Sequence, residues 1–223
     1  MKITYHGHSC LTIEMENGQR VMIDPFITGN PLTDLTAEEV KTDWLLITHG
    51  HSDHIGDMIP IAKENQATII SIVEIADYAN SRGVDSFGMN IGGKHAFPFG
   101  VVKFVHAQHS SSYEVDGIVQ YMGEPSGIII QAEGKTIYHA GDTAYFSDLG
   151  LLAEEFDIDV AFLPIGDNYT MGPEDAAKAA QTIRAKKVVP IHYNTFPVIE
   201  QDPESFVELL EDSEGKIMSV SET

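Results

Sequence analysis

Cysteine is almost missing from this chain of 223 residues. Cys10 is the only one, so no disulfide can form within the chain, and nothing asks for an oxidising compartment. Basic residues are scarce: 13 Lys and Arg stand against 34 Asp and Glu, a formal net charge of −21. General binding to nucleic acid or to an anionic membrane needs a basic face, so neither partner is expected. The acidic excess reads as a solvated surface serving solubility. No apolar run is long enough to span a bilayer. No basic, apolar leader precedes the first strand-like stretch, Lys2-Ile3-Thr4-Tyr5, and a cytoplasmic location is the expectation. There is no Pro/Ser-rich linker and no visible repeat. Residues 1–223 therefore read as a single domain, for which 43% hydrophobic content is ordinary.

What is present is a dense metal-binding motif. The apolar run Trp44-Leu45-Leu46-Ile47-Thr48 reads as a buried strand, and Ile55, Ile59, Ile61 and Ala62 suit a short helix. Between them lies His49-Gly50-His51-Ser52-Asp53-His54. In extended chain His49 and His51 point the same way, while Asp53 and His54 can turn into a neighbouring volume. One loop can thus serve two metal positions if distant residues complete each shell. Neutral imidazole and carboxylate suit zinc and related divalent ions. A His-rich surface loop arising by accident is the competing reading, and the HxHxDH density argues against it.

The rest of the chain alternates strands and helices. Asn17-Gly18 between Cys10–Glu14 and Arg20–Asp24 signals a hairpin, and Thr36–Val40 resembles a capped helical turn. A strand at 67–71 and a helix at 73–82, stopped by Gly83, come next. Two or three strands are expected between Ser86 and His109. Residues 110–126 lack a clean period and read as a long loop that walls the site. A second hairpin turns at Glu133-Gly134, followed by a helix at 145–156 and a strand at 158–163. Pro173 opens a helix to about Ala185, and Val188–Ile191 is a strand. A helix from Pro203 to about Asp212 and an edge strand at 216–220 close the chain. Pattern alone supports an α/β or α+β fold in two packed halves.

The HxHxDH loop resembles that of the metallo-β-lactamase superfamily. Gln108-His109-Ser110, Ala140-Gly141-Asp142-Thr143 and Pro190-Ile191-His192-Tyr193 match the later parts of that pattern in order. Gly7-His8-Ser9, Ile23-Asp24-Pro25 and Asn168-Tyr169-Thr170-Met171-Gly172 look most like the small metal-dependent hydrolases of the UPF0173 type. Those are similar to the ascorbate-6-phosphate lactonase branch. The resemblance implies a four-layer αββα sandwich with two divalent ions at its edge, zinc first and manganese as the alternative. It assigns His49, His51 and His109 to one ion and Asp53, His54 and His192 to the other, with Asp142 bridging. It further implies a hydroxide shared between the ions as nucleophile, oriented by Asp53. Asp24 becomes a carboxylate bracing the metal loop, against a plain turn role at Asp-Pro. His8 becomes a substrate or oxyanion contact. Asn168 and Tyr169 lie after a strand, where loops meet substrate. His6 reads as structural, and His139 as a core residue facing away from Asp142.

Three functions fit these residues. The leading one is a dinuclear hydrolase of a small ester, lactone or phosphodiester. An iron-bearing redox enzyme on the same scaffold is the second, although no second cysteine is present for a redox relay. A non-catalytic metal-binding domain is the third. Between Phe104 and Ala177 the only Lys or Arg is Lys135, so a neutral or singly charged small-molecule substrate is expected over a sugar phosphate. Lys41, Arg82 or a residue from a second subunit of a homo-oligomer remain the possible exceptions.

Overall fold

The computed structural model describes residues 1–223. Strands β1 (Lys2–Tyr5), β2 (Leu11–Glu14) and β3 (Arg20–Ile23) form the expected antiparallel meander. β4 (Trp44–Leu46) then pairs parallel to β3. The metal loop follows β4 and enters α1 (Ser52–Ile55) and α2 (Met58–Asn65). The expected single helix is thus split at Gly56, whose φ of 42° lets the chain turn where a side chain would run into the backbone of Pro25 and Phe26. β5 (Thr68–Ile72), α3 (Val73–Ser81) and β6 (Ser86–Met89) complete a six-stranded sheet in the order β1-β2-β3-β4-β5-β6.

The second half repeats this plan. β7 (Lys94–Phe97) and β8 (Gly100–His106) lead to a separate hairpin, β9 (Ser112–Val115) and β10 (Ile118–Tyr121). β11 (Ser126–Ala132), β12 (Lys135–His139), α4 (Gly150–Glu155) and β13 (Val160–Pro164) come next. They are followed by α5 (Pro173–Ile183), β14 (Lys187–Ile191), α6 (Pro203–Glu208) and β15 (Glu214–Gly215). The seven-stranded sheet runs β15-β14-β13-β12-β11-β8-β7, antiparallel through β7, β8, β11 and β12 and parallel beyond.

Alternation along these strands shows how the layers stack. Ile128, Ile130, Ile137, Phe162 and Val189 face a core of 37 buried residues shared with the first sheet. Their neighbours Ile129, Tyr138, Ala161, Leu163 and Val188 face a second core of 18, packed under α4, α5 and α6. The second sheet is therefore covered on both faces, which suits its parallel part. This is the αββα arrangement that the resemblance implies.

Residues 36–40 form the expected turn, in which Thr36 Oγ1 donates to Glu39 Oε2 at 2.8 Å. Four local expectations are corrected. The stretch 110–126 is not one loop but holds the β9–β10 hairpin, turned at Asp116-Gly117. The helix at 145–156 shrinks to a 3-10 turn at Ser147–Leu149 and the short α4. The closing strand lies at 214–215 rather than 216–220, and α6 ends at Glu208.

Candidate metal centre

Five of the candidate site residues follow strand ends at one edge of the sandwich, while Asp53 and His54 lie in α1. Asp24 follows β3, His49 follows β4, His109 follows β8, Asp142 follows β12 and His192 follows β14. Their side chains converge in two groups. His49, His51, His109 and Asp142 form one; His8, Asp53, His54 and His192 form the other, each close enough to share an ion. In the first, His51 Nδ1 lies 3.0 Å from His49 Nε2 and 3.3 Å from His109 Nε2. Asp142 lies between the groups. Its Oδ2 is 3.0 Å from His192 Nε2 and 3.5 Å from His109 Nε2, and its Oδ1 is 3.2 Å from His54 Nε2.

The inner atoms lack ordinary hydrogen-bond partners. His54 Nε2, His192 Nε2 and Asp142 Oδ1 are buried without one. Buried polar atoms are nearly always paired, so unpaired atoms converging on one volume fit a bound cation. Several outer atoms, in contrast, are held, although His192 Nδ1 is not. His54 Nδ1 donates to Asp24 Oδ2 at 2.8 Å, which leaves Nε2 free. Thr48 Oγ1 donates to the same Asp24 oxygen at 2.7 Å and accepts from His49 Nδ1 at 3.0 Å. His51 Nε2 donates to Ser110 Oγ at 3.2 Å, which turns its Nδ1 inward. Such outer contacts fix the tautomer and aim the free nitrogen at a metal. Asp24 itself is fully buried with a φ of 45°, and its Oδ1 also accepts from Thr48 N at 2.9 Å.

Charge balance follows from this crowding. Burial lowers the pKa of His49 far below its ordinary value, and of His51 and His109 more modestly, so these rings are neutral. Burial also opposes charge on His54 and His192, but Asp142 outweighs it; Asp24 adds to the effect on His54, and Asp53 to that on His192. Without a metal ion, His54 is held well above its ordinary value and His192 rises to about 9. Against their own burial, Asp142 is held well below the carboxylate range by His192 and His54, and Asp53 by His192 and His8. Both carboxylates are ionised.

The metal loop is locked from several sides. Gly50 N donates to Ser111 Oγ at 3.0 Å, and a Cβ at Gly50 would overlap Met122, so only glycine fits under the base of the hairpin. Ser126 Oγ donates to Thr48 O at 2.8 Å, and His192 N donates to His8 O at 2.8 Å.

A cavity of about 610 Å³ opens above the cluster. His51, Asp53, His109, Asp142 and His192 form its polar part, with Ser52 and Ser110 beside them. Phe26, Tyr169, Phe196 and Val198 form the rest. The structure therefore puts Tyr169 at the cavity; Asn168 is exposed outside it. His8 is a correction to expectation: it is fully buried and does not line the cavity, so it does not meet substrate there. Its Nε2 lies 3.1 Å from Asp53 Oδ2 and its Nδ1 2.8 Å from Thr195 Oγ1. His6 bonds Asp34 and Thr12, both at 2.8 Å, away from the cluster. His139 is buried, as expected of a core residue. Of residues 110–126, only Ser110 reaches the cavity. Thr48, Thr195, Phe196 and Val198 escape sequence reading, because neither a period nor a motif marks them.

The fold and the paired His/Asp groups define a protein of the metallo-β-lactamase type, and the family model for the beta-lactamase superfamily domain matches residues 2–192. Within that superfamily the chain belongs to the UPF0173 metal-dependent hydrolases. It is 58% identical to such a hydrolase of Enterococcus faecalis over 223 residues, covering 100% of this chain and 99% of the relative. Igni18, a metallo hydrolase from the hyperthermophilic archaeon Ignicoccus hospitalis, superposes with a TM-score of 0.89 at 39% identity, over 99% of this chain and 95% of that one. An isothiocyanate hydrolase from Delia radicum gut bacteria shares the fold at a TM-score of 0.76 and 19% identity, over 97% of this chain and 95% of that one. The protein is thus a metal-dependent hydrolase. No helix is long and apolar enough to cross a membrane.

Proposed function

We propose that the protein is a dinuclear hydrolase of a small, uncharged or singly charged ester or lactone, with phosphodiesters as the alternative class. The observation that carries the dinuclear reading is the position of Asp142, within 3.5 Å of ring nitrogens from both groups. His49, His51 and His109 would hold one ion and Asp53, His54 and His192 the other, with Asp142 lying between the two groups. Zinc suits the donor set, with manganese as the alternative. Two such ions, when bound, would lower the pKa of water toward neutral and would offer positive charge to the oxygen that becomes negative.

The chain's own residues do the rest. Asp53 is the partly exposed carboxylate of the cluster, with 23% of its side chain accessible at the cavity. It orients the attacking water and can carry its proton. His8, itself placed by Thr195, donates to Asp53 Oδ2 and holds that carboxylate in position. Ser52 and Ser110 offer hydroxyls to the substrate's polar atoms. The cavity lining contains no Lys or Arg, which supports the neutral preference. Lys135 is paired with Asp159 at 3.2 Å, Lys41 borders a different pocket, and Arg82 stacks on Tyr78.

The test is a turnover screen of lactones, carboxylic esters, thioesters and phosphodiesters with Zn²⁺ or Mn²⁺ supplied. Hydrolysis of a neutral lactone or ester, abolished by a chelator and restored by metal, is expected. No turnover in any class by protein holding two ions would overturn the reading.

A further inference from the structure

The cavity has two unlike sides. The polar side belongs to the metal cluster, and the other is made of Phe26, Phe196, Val198 and Tyr169. Two of these are unusually open for apolar or aromatic side chains: Val198 and Tyr169 are each 56% exposed. Large apolar groups left in water beside a polar cluster commonly mark a ligand surface.

The apolar side is also rigidly built. After β14 the chain turns through His192 and Asn194, with φ of 55° and 58°. A 3-10 turn at Pro197–Ile199 follows. Asn194 N donates to Ile199 O at 2.9 Å, closing the loop. Ile199 is fully buried against Gly166, where a Cβ would collide with His192 O and crowd Ile199. With Ile199 pinned inward, Val198 is left facing out over the cavity. Phe196 packs 5.6 Å from the His8 ring and 6.3 Å from Phe26, so His8 supports this wall as well as Asp53.

We propose that Phe26, Phe196 and Val198 form a subsite for an uncharged apolar group, an alkyl or aryl arm of the substrate attached next to the bond cleaved at the metal cluster. This rests on the hydrolase reading and narrows its substrate class. The wall beside the cluster carries no Lys or Arg to pair with an anionic arm, whereas three apolar side chains bury hydrocarbon. Tyr169 lines the same cavity.

The experiment uses alkyl hydroxamates, whose head binds metal and whose tail length can be varied. Affinities of acetohydroxamate, butanohydroxamate and hexanohydroxamate for the zinc-loaded protein are measured by calorimetry. Affinity should rise about twofold or more per added methylene. The slope should flatten in Val198→Ser and in Phe196→Ala, with zinc content unchanged in both. Val198 is exposed, so its variant keeps the test open if Phe196→Ala folds poorly. A flat series in the unaltered protein, or an unchanged slope in Val198→Ser, would overturn the subsite. A tail-dependent series without turnover of any ester or lactone would leave the subsite standing and remove the ester and lactone reading; turnover with a flat series would do the reverse.

Discussion

Asp24 Oδ2 accepts one hydrogen bond from His54 Nδ1 at 2.8 Å and another from Thr48 Oγ1 at 2.7 Å. Because Thr48 Oγ1 in turn accepts from His49 Nδ1, one buried carboxylate aims a histidine in each of the two groups. Orientation of both candidate metal positions thus converges on a single residue that touches neither.

Asp24→Asn should therefore weaken both positions, lowering metal affinity about 10–100-fold. Thr48→Val removes only the relay to His49 and should weaken one of two binding steps. Competition titration with a zinc chelator distinguishes one affected step from two. Unchanged affinity in Asp24→Asn would reduce Asp24 to a turn residue.

His139 supplies a pH dependence away from the metal groups. Its Nδ1 accepts from Gly141 N at 3.1 Å, so its proton sits on Nε2, which donates to Ser9 O at 3.0 Å. Only the neutral ring satisfies both contacts, and burial lowers the pKa in the folded state. The unfolded chain then binds a proton that the folded one refuses. Stability from this residue is complete above the unfolded value of about 6.5 and is lost as pH falls below it. Denaturant unfolding of metal-free protein at pH 7.5 and pH 5.5 should show a steeper acid loss than in His139→Gln. Equal slopes would remove His139 as a cause.

Substrate charge is the third point. Adding a terminal phosphate to a good lactone substrate should lower kcat/KM, since no Lys or Arg lines the cavity. A phosphorylated form preferred by about tenfold, roughly 1.4 kcal/mol in transition-state binding, would contradict this.

The metal loop is legible in the sequence because HxHxDH follows an apolar strand, a local pattern. The distant His109, Asp142 and His192 are legible only through the family resemblance, since each taken singly reads equally well as a strand end, a cap or a turn. The hydroxyls that orient the rings are not legible. Thr48 reaches Asp24 across 24 residues, Ser110 reaches His51 across 59, and His8 meets Thr195 across 187. Serine and threonine carry no signal of such long-range pairing. The β9–β10 hairpin escapes for a different reason: all of β10 is exposed, so the alternation that betrays a half-buried strand is missing. Residues 216–220 do alternate, but there the chain leaves β14 after Lys216 N bonds Val188 O and crosses to Tyr5, where Ser221 N donates to Tyr5 O.

The central claim is a shared two-metal site, and metal stoichiometry tests it most directly. The protein, stripped by chelator and dialysed against Zn²⁺ or Mn²⁺, is analysed for metal per chain beside Asp142→Ala. Two ions per chain are expected in the unaltered protein. The variant should bind fewer ions and lose most turnover while keeping its circular dichroism spectrum. No more than one tightly bound ion in metal-replete unaltered protein would contradict the two-metal site.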